Sequence, residues 1–161
     1  VNARVLNLLV LAAALLALGS ALGSEFWGGL IPCELCLAER WPWYGAVPVA
    51  LTLAVRTPAR LERFVAPFWL LVFLGSAGLA FYHVGVEQHW FPGPTACTGG
   101  DLRGLTIEEL TKRIMATPVI RCDTPQWEVL GVTMAGLNLL ASLAMAALSG
   151  YAWIRSRSEA S

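Results

Sequence analysis

The chain reads as an all-α membrane protein: a four-helix transmembrane bundle with two outward-facing loops, the larger carrying a short amphipathic helix. Three observations predict it. Of 161 residues, 57% are hydrophobic and only 14% are charged, against about 25% charged in a typical soluble domain. Mean hydropathy is +0.61. The apolar residues also gather in blocks on the scale of the roughly 20 residues that cross a bilayer. The length fits one integral domain, residues 1–161. Zero formal net charge gives no field to attract nucleic acid.

With charged residues as the ruler, the first span covers about 5–22, with Asn7 as its main polar interruption. Small residues from Gly19 to Ser24 resemble a cleavage region, with Arg4 ahead of the block. An uncleaved anchor is the better reading, because cleavage would leave three spans and put the basic tail outside. The second span, about 35–55, reaches spanning length only by taking Glu39 and Arg40 into its first turns. The third covers about 64–86 and the fourth about 129–154. Backbone groups in lipid must be satisfied internally, so all four are helices. Pro48 predicts a kink in the second, and Pro67 an early-turn position in the third. Gly131 and Ala135 form a small-residue pair suited to helix packing.

Arginines set the topology. Arg4 precedes the first span, Arg56, Arg60 and Arg63 fill the short second connection, and Arg155 and Arg157 follow the fourth span. The positive-inside rule puts these segments and both termini in the cytoplasm. The loops at about 23–34 and 87–128 then face outward, and they hold all four cysteines, Cys33, Cys36, Cys97 and Cys122. Disulfides form and persist on that side of a membrane, which in a bacterium is the periplasm. Trp27, Trp41, Trp43, Trp90 and Trp127 fit an aromatic belt at the outer interface. In the larger loop, Thr106 and Glu109 form a capping-box signature. Ile107, Leu110, Ile114 and Met115 share one face of the helix that follows. That helix either lies in the membrane interface or packs on the rest of the loop.

The C-x-x-C of "IPCELCLAERWPW" has three readings: a zinc half-site, a redox dithiol or a structural disulfide. No second close pair or histidine pattern completes a zinc site, so no metal is expected. A disulfide closing so small a loop stabilises by only about 2 kcal/mol in the chain-entropy model. A redox role therefore fits Cys33 and Cys36 best. On a helix starting near Cys33, Cys36, Arg40 and Trp43 fall on the same face, one turn after another. A cation at Arg40 and the helix N-terminus both favour thiolate. The competing reading is that Arg40 pairs with Glu39 or extends to the interface. Glu34 and Glu39 read as helix-start acids without an assigned role.

These residues resemble the DsbB family of bacterial inner-membrane, quinone-dependent thiol oxidases. The resemblance covers nearly the whole chain and rests on "PCELCLAER", "PTAC" and "RCDTPQWEVLGVTMAGLN" as well as the four spans. It implies that Cys97 and Cys122 form a disulfide attacked by reduced DsbA, a periplasmic thioredoxin-fold protein, with Cys97 taking the mixed disulfide. Electrons would then pass to Cys33 and Cys36, with Cys36 facing a membrane quinone (ubiquinone or menaquinone) as a thiolate. Arg40 would belong to the quinone site. His83 and Glu87, in "FYHVGVEQH", would line the same pocket or else be interfacial residues. The competing class is a non-catalytic four-span scaffold pinned by two structural disulfides.

Overall fold

The computed structural model describes residues 2–94, 106–109, 111 and 121–158. Four long helices form the bundle: α1 (Ala3–Phe26), α2 (Glu34–Val55), α3 (Ala59–Glu87) and α4 (Met134–Ser158). Three of them, α1, α3 and α4, have the length and hydropathy to cross a membrane. The 22-residue α2 is long enough, but Glu39, Arg40, Pro42 and Pro48 dilute its apolar character.

Each helix start has a local cause. Asn2 Oδ1 accepts from the backbone N–H of Val5 and caps α1. Cys33 caps α2 through its sulfur, which accepts from the N–H of Cys36. Pro58 precedes α3 in extended conformation. Charged residues bound a span but not a helix, so α3 runs back through Arg63, Glu62 and Arg60 to Ala59. Pro67 is therefore well inside the helix and not in an early turn.

Ahead of α4 stands a two-stranded hairpin, β1 (Glu128–Val129) and β2 (Val132–Thr133), which pair antiparallel. Its turn residues Leu130 and Gly131 have φ of 54° and 79°, as a tight turn between twisted strands requires. Gly131 thus serves the turn and is not a helix-packing residue, and α4 begins later than the apolar block suggests. Thr133 Oγ1 accepts from the N–H of Gly136 at 3.0 Å and caps α4. In the larger loop the capping box is present. Glu109 accepts from the Thr106 backbone N–H at 3.2 Å, and Thr106 Oγ1 accepts from the Glu109 N–H at 3.4 Å. Leu110, Ile114 and Met115 lie outside the described residues, while Ile107 is exposed.

α1 packs chiefly on α2, and α3 on α4. The shared core includes Leu6, Val10, Ala46, Trp69, Phe73 and Met145. Leu16, Val55, Leu71 and Leu140 point outward, as lipid-facing residues do. Lipid supplies no hydrophobic drive between helices, so polar contacts and close packing carry more of the association. Trp69 Nε1 donates to Asn7 Oδ1 at 2.7 Å, Ser76 and Ser142 share a hydrogen bond at 2.9 Å, and Trp43 Nε1 donates to Asn138 Oδ1 at 2.8 Å. Trp43 is therefore a core residue and not part of the aromatic belt. Trp27, Trp41, Trp90 and Trp127 are exposed, as the belt requires.

The end of α3 turns back on itself, with the N–H groups of Trp90 and Phe91 donating to Gly85 O. Phe91 stacks on Tyr82 and lies against Phe81. A Cβ at Gly85 would sit 2.2 Å from the Phe91 ring. Gly85→Ala should therefore destabilise the bundle by about 1–3 kcal/mol through overpacking. Thermal unfolding in detergent checks this, and an unchanged midpoint would mean that the ring swings aside freely.

Candidate thiol redox site

The site forms where α2 begins, α3 ends and the 121–133 segment returns to the bundle. Cys33 and Cys122 are buried together with Leu35 and Val86, and Cys36 and Tyr82 pack against this cluster. Gln126 ties the returning segment to the first loop by donating to Ile31 O. Cys33 and Cys36 are free thiols, and Cys122 is disulfide-bonded. Cys97 lies outside the described residues.

The two free sulfurs are 2.6 Å apart. Cys33 is the more buried, and Cys36 is partly exposed. As the N-cap of α2, Cys33 Sγ accepts from the Cys36 backbone N–H at 3.1 Å. The Cys36 thiol hydrogen bond, aided by that N–H, holds the Cys33 thiol below its ordinary pKa, against the opposing effects of burial and the Glu39 charge. The stabilised sulfur is thus Cys33, whereas the resemblance implies a thiolate at Cys36. Helix geometry explains this, since only the cap position can accept from the free N–H groups of the first turn.

A buried chain of polar groups backs Cys33. Its sulfur lies 3.6 Å from His83 Nε2, and His83 Nδ1 lies 2.7 Å from Glu39 Oε1. Asn138 Nδ2 donates to Glu39 Oε2 at 2.8 Å, and Asn138 Oδ1 accepts from Trp43. Glu87 accepts from Thr133 Oγ1 at 2.7 Å, joining the end of α3 to the cap of α4. Arg40 does not pair with Glu39. Its guanidinium forms an ion pair with Glu25 of α1 and reaches Ala21 O.

All of these groups except Glu25, Leu35, Tyr82, Val86 and Thr133 line one cavity of about 230 Å³. Ala17, Leu18, Ala21, Leu137 and Ala141 give it apolar walls. The structure thus brings together Cys33, Cys36, Arg40, His83, Glu87 and Cys122. Sequence reasoning missed Glu39, Asn138, Glu25 and Thr133. An ionisable Glu39 inside a span was a usable signal, as was Asn138 within an otherwise uncharged block. Nothing in the sequence points from Glu25 to Arg40.

The Cys33 and Cys36 sulfurs and His83 Nε2 all lie within 4.8 Å of one another, the donor set of a soft cation. Two thiolates on one tetrahedral zinc stand about 3.8 Å apart, so the 2.6 Å sulfur separation suits disulfide closure better. In reduced protein, ultraviolet thiolate absorbance should rise with a first midpoint below the ordinary cysteine value of about 8.5. Cys33→Ser should remove that early phase, and its survival would assign the stabilised sulfur elsewhere.

Comparison with known proteins shows the family. The family model "Disulfide bond formation protein DsbB" matches residues 3–152. The chain is 30% identical over 146 residues to an uncharacterized protein of Rickettsia prowazekii, covering 88% of this chain and 83% of that one. It is 30% identical over 143 residues to disulfide bond formation protein B of Hahella chejuensis, covering 86% of each. It is 32% identical over 146 residues to disulfide bond formation protein B of Methylococcus capsulatus, covering 88% of this chain and 87% of that one. The chain belongs to the DsbB family of disulfide bond formation proteins.

Proposed function

We propose that the protein is a membrane thiol oxidase that reoxidises a DsbA-like periplasmic dithiol protein and passes the electrons through two cysteine pairs to a membrane quinone. The observation that carries this reading is the free Cys33–Cys36 dithiol at one wall of a cavity whose other walls are apolar. A structural staple would not need a cavity, a buried histidine and a guanidinium beside it. The scaffold reading expects two inert disulfides, and the free close pair argues against it.

The chain has four cysteines. With Cys33 and Cys36 free and Cys122 bonded, Cys97 is the partner we assign to Cys122. Cys97 would receive the attack of the soluble thiol, and Cys122, packed in the Cys33 cluster, would hand the electrons inward. The arginines also fit the proposed topology. Arg4, Arg56, Arg60, Arg155 and Arg157 fall at helix ends or connections on the side away from the thiols, which supports cytoplasmic termini and a periplasmic site.

The cavity fits a quinone headgroup. Its open volume is small beside the 300–1,000 Å³ of typical ligand pockets, so it suits a ring system whose apolar tail runs along the bilayer. Arg40 and His83 offer donors to ring oxygens, and the α1 and α4 walls offer apolar contact. A quinone supplies two-electron, two-proton oxidising power. Cys36, the more exposed sulfur, faces that acceptor, while Cys33 closes the disulfide from behind. Glu25 keeps Arg40 extended across the cavity.

Purified protein supplied with a reduced DsbA-like protein should reduce quinone catalytically, and no turnover with any quinone would sink the reading. Cys36→Ser should abolish quinone reduction, whereas Cys97→Ser should stop only electron entry from the partner. Identical single-turnover behaviour of the two would contradict the series arrangement. Arg40→His should raise the quinone KM about tenfold, the effect of losing one charge-assisted hydrogen bond. An unchanged KM would leave Arg40 a purely structural partner of Glu25. Cys122→Ser should trap the soluble partner on Cys97 as a mixed disulfide, identifiable by mass spectrometry.

A further inference from the structure

We propose that Glu39 is a positioning residue that fixes His83 as the proton acceptor for Cys33, a role that rests on the redox reading of the dithiol. The direction of the buried chain is set at its far end. An indole N–H can only donate, so Trp43 requires the oxygen of Asn138 to face it. The Asn138 amide nitrogen must then face Glu39 and donate to Oε2. The other carboxylate oxygen accepts from His83 Nδ1, so that nitrogen carries the hydrogen. His83 Nε2 is left with its lone pair towards Cys33 Sγ, 3.6 Å away. Trp43, Glu39, His83 and Cys33 are all buried, and Asn138 is half-buried.

Closing the Cys33–Cys36 bond breaks two S–H bonds, forms one S–S bond and releases two electrons and two protons. The electrons and, in the end, both protons go to the two-electron acceptor of the proposed function. On the way, the Cys33 proton passes to His83 Nε2, and the Cys33 thiolate bonds to the Cys36 sulfur as the two-electron acceptor takes up the electron pair and the Cys36 proton. An imidazolium in so apolar a site needs a fixed countercharge, and Glu39 supplies it. The same division between base and orienting carboxylate operates in nucleophile–histidine–acid triads on unrelated folds.

Other charged groups face this chain. Cys36 and Arg40 lie on α2, with Arg40 paired to Glu25 of α1. Glu87 lies on α3, bonded by Thr133, with Glu128 of the hairpin within electrostatic range of it. Arg121 lines the cavity from the returning segment. None of them touches His83 Nδ1, whose hydrogen-bond partner is Glu39.

The test is a pH titration of thiolate absorbance in reduced, quinone-free protein. Acting on Cys33 by charge alone, Glu39→Gln would lower the first thiolate midpoint, because the carboxylate disfavours the thiolate. Acting through His83, whose imidazolium it no longer supports, it should raise that midpoint by about one pH unit, leaving about tenfold less thiolate on the rising limb. Asn138→Ala removes a donor that shares the carboxylate charge, so it should lower the midpoint. Bare charge gives the opposite pair of signs and a merely structural network no reversal, so any outcome other than a rise for Glu39→Gln and a fall for Asn138→Ala overturns the proposal. Should Glu39→Gln fail to fold, His83→Gln takes its place. It should raise the midpoint and make Asn138→Ala silent in the same chain, and a persisting Asn138 effect refutes the relay. Quinone reduction by the unaltered protein is measured separately. Shifted midpoints without quinone reduction keep the relay and reject the oxidase reading, while quinone reduction with unmoved midpoints does the reverse.

Discussion

The buried carboxylate of Glu39 is the constraint on which the thiol-bearing end of the bundle depends. It sits on α2, accepts from His83 of α3 and from Asn138 of α4, and so ties three helices at one point. Burying a charge without partners is far costlier than burying an apolar side chain. The three helices must therefore meet in the one register that satisfies it. Between apolar helices in lipid, few other forces choose a register. Farther along the bundle, Trp69–Asn7 and Ser76–Ser142 serve the same purpose with neutral groups.

The chemistry of the site follows from that register. Because α2 starts at Cys33, the first sulfur takes the cap position and the second sits a turn inward beside the cavity. Because α3 ends at Glu87, His83 comes level with Cys33. Because Thr133 both caps α4 and bonds Glu87, the hairpin holds the returning segment against the close pair. One sulfur thereby takes the cap hydrogen bond and lies against His83, and the other is the more exposed. Arg40 is drawn to the cavity edge by Glu25.

Much of this was legible in the sequence, and the failures have physical causes. Counting uncharged residues found all four helices, because the bilayer imposes a minimum apolar length. It misjudged helix ends, since Arg60 and Glu62 extend α3 beyond the apolar stretch and the Leu130–Gly131 turn delays α4. The capping box at Thr106 and Glu109 was readable because it is purely local. The cysteines and Arg40 were legible as types of chemistry. The Arg40 partner, the burial of Trp43 and the role of Glu39 were not, because each depends on which residues of distant helices come level.

The central claim is that the Cys33–Cys36 dithiol is itself the electron donor to quinone. A single-turnover titration tests it directly, using fully reduced Cys97→Ser/Cys122→Ser protein and a short-chain soluble quinone, with no partner protein present. The account predicts one hydroquinone formed per protein, together with loss of both remaining thiols to one disulfide. Hydroquinone absent, or thiols lost without it, would contradict the account.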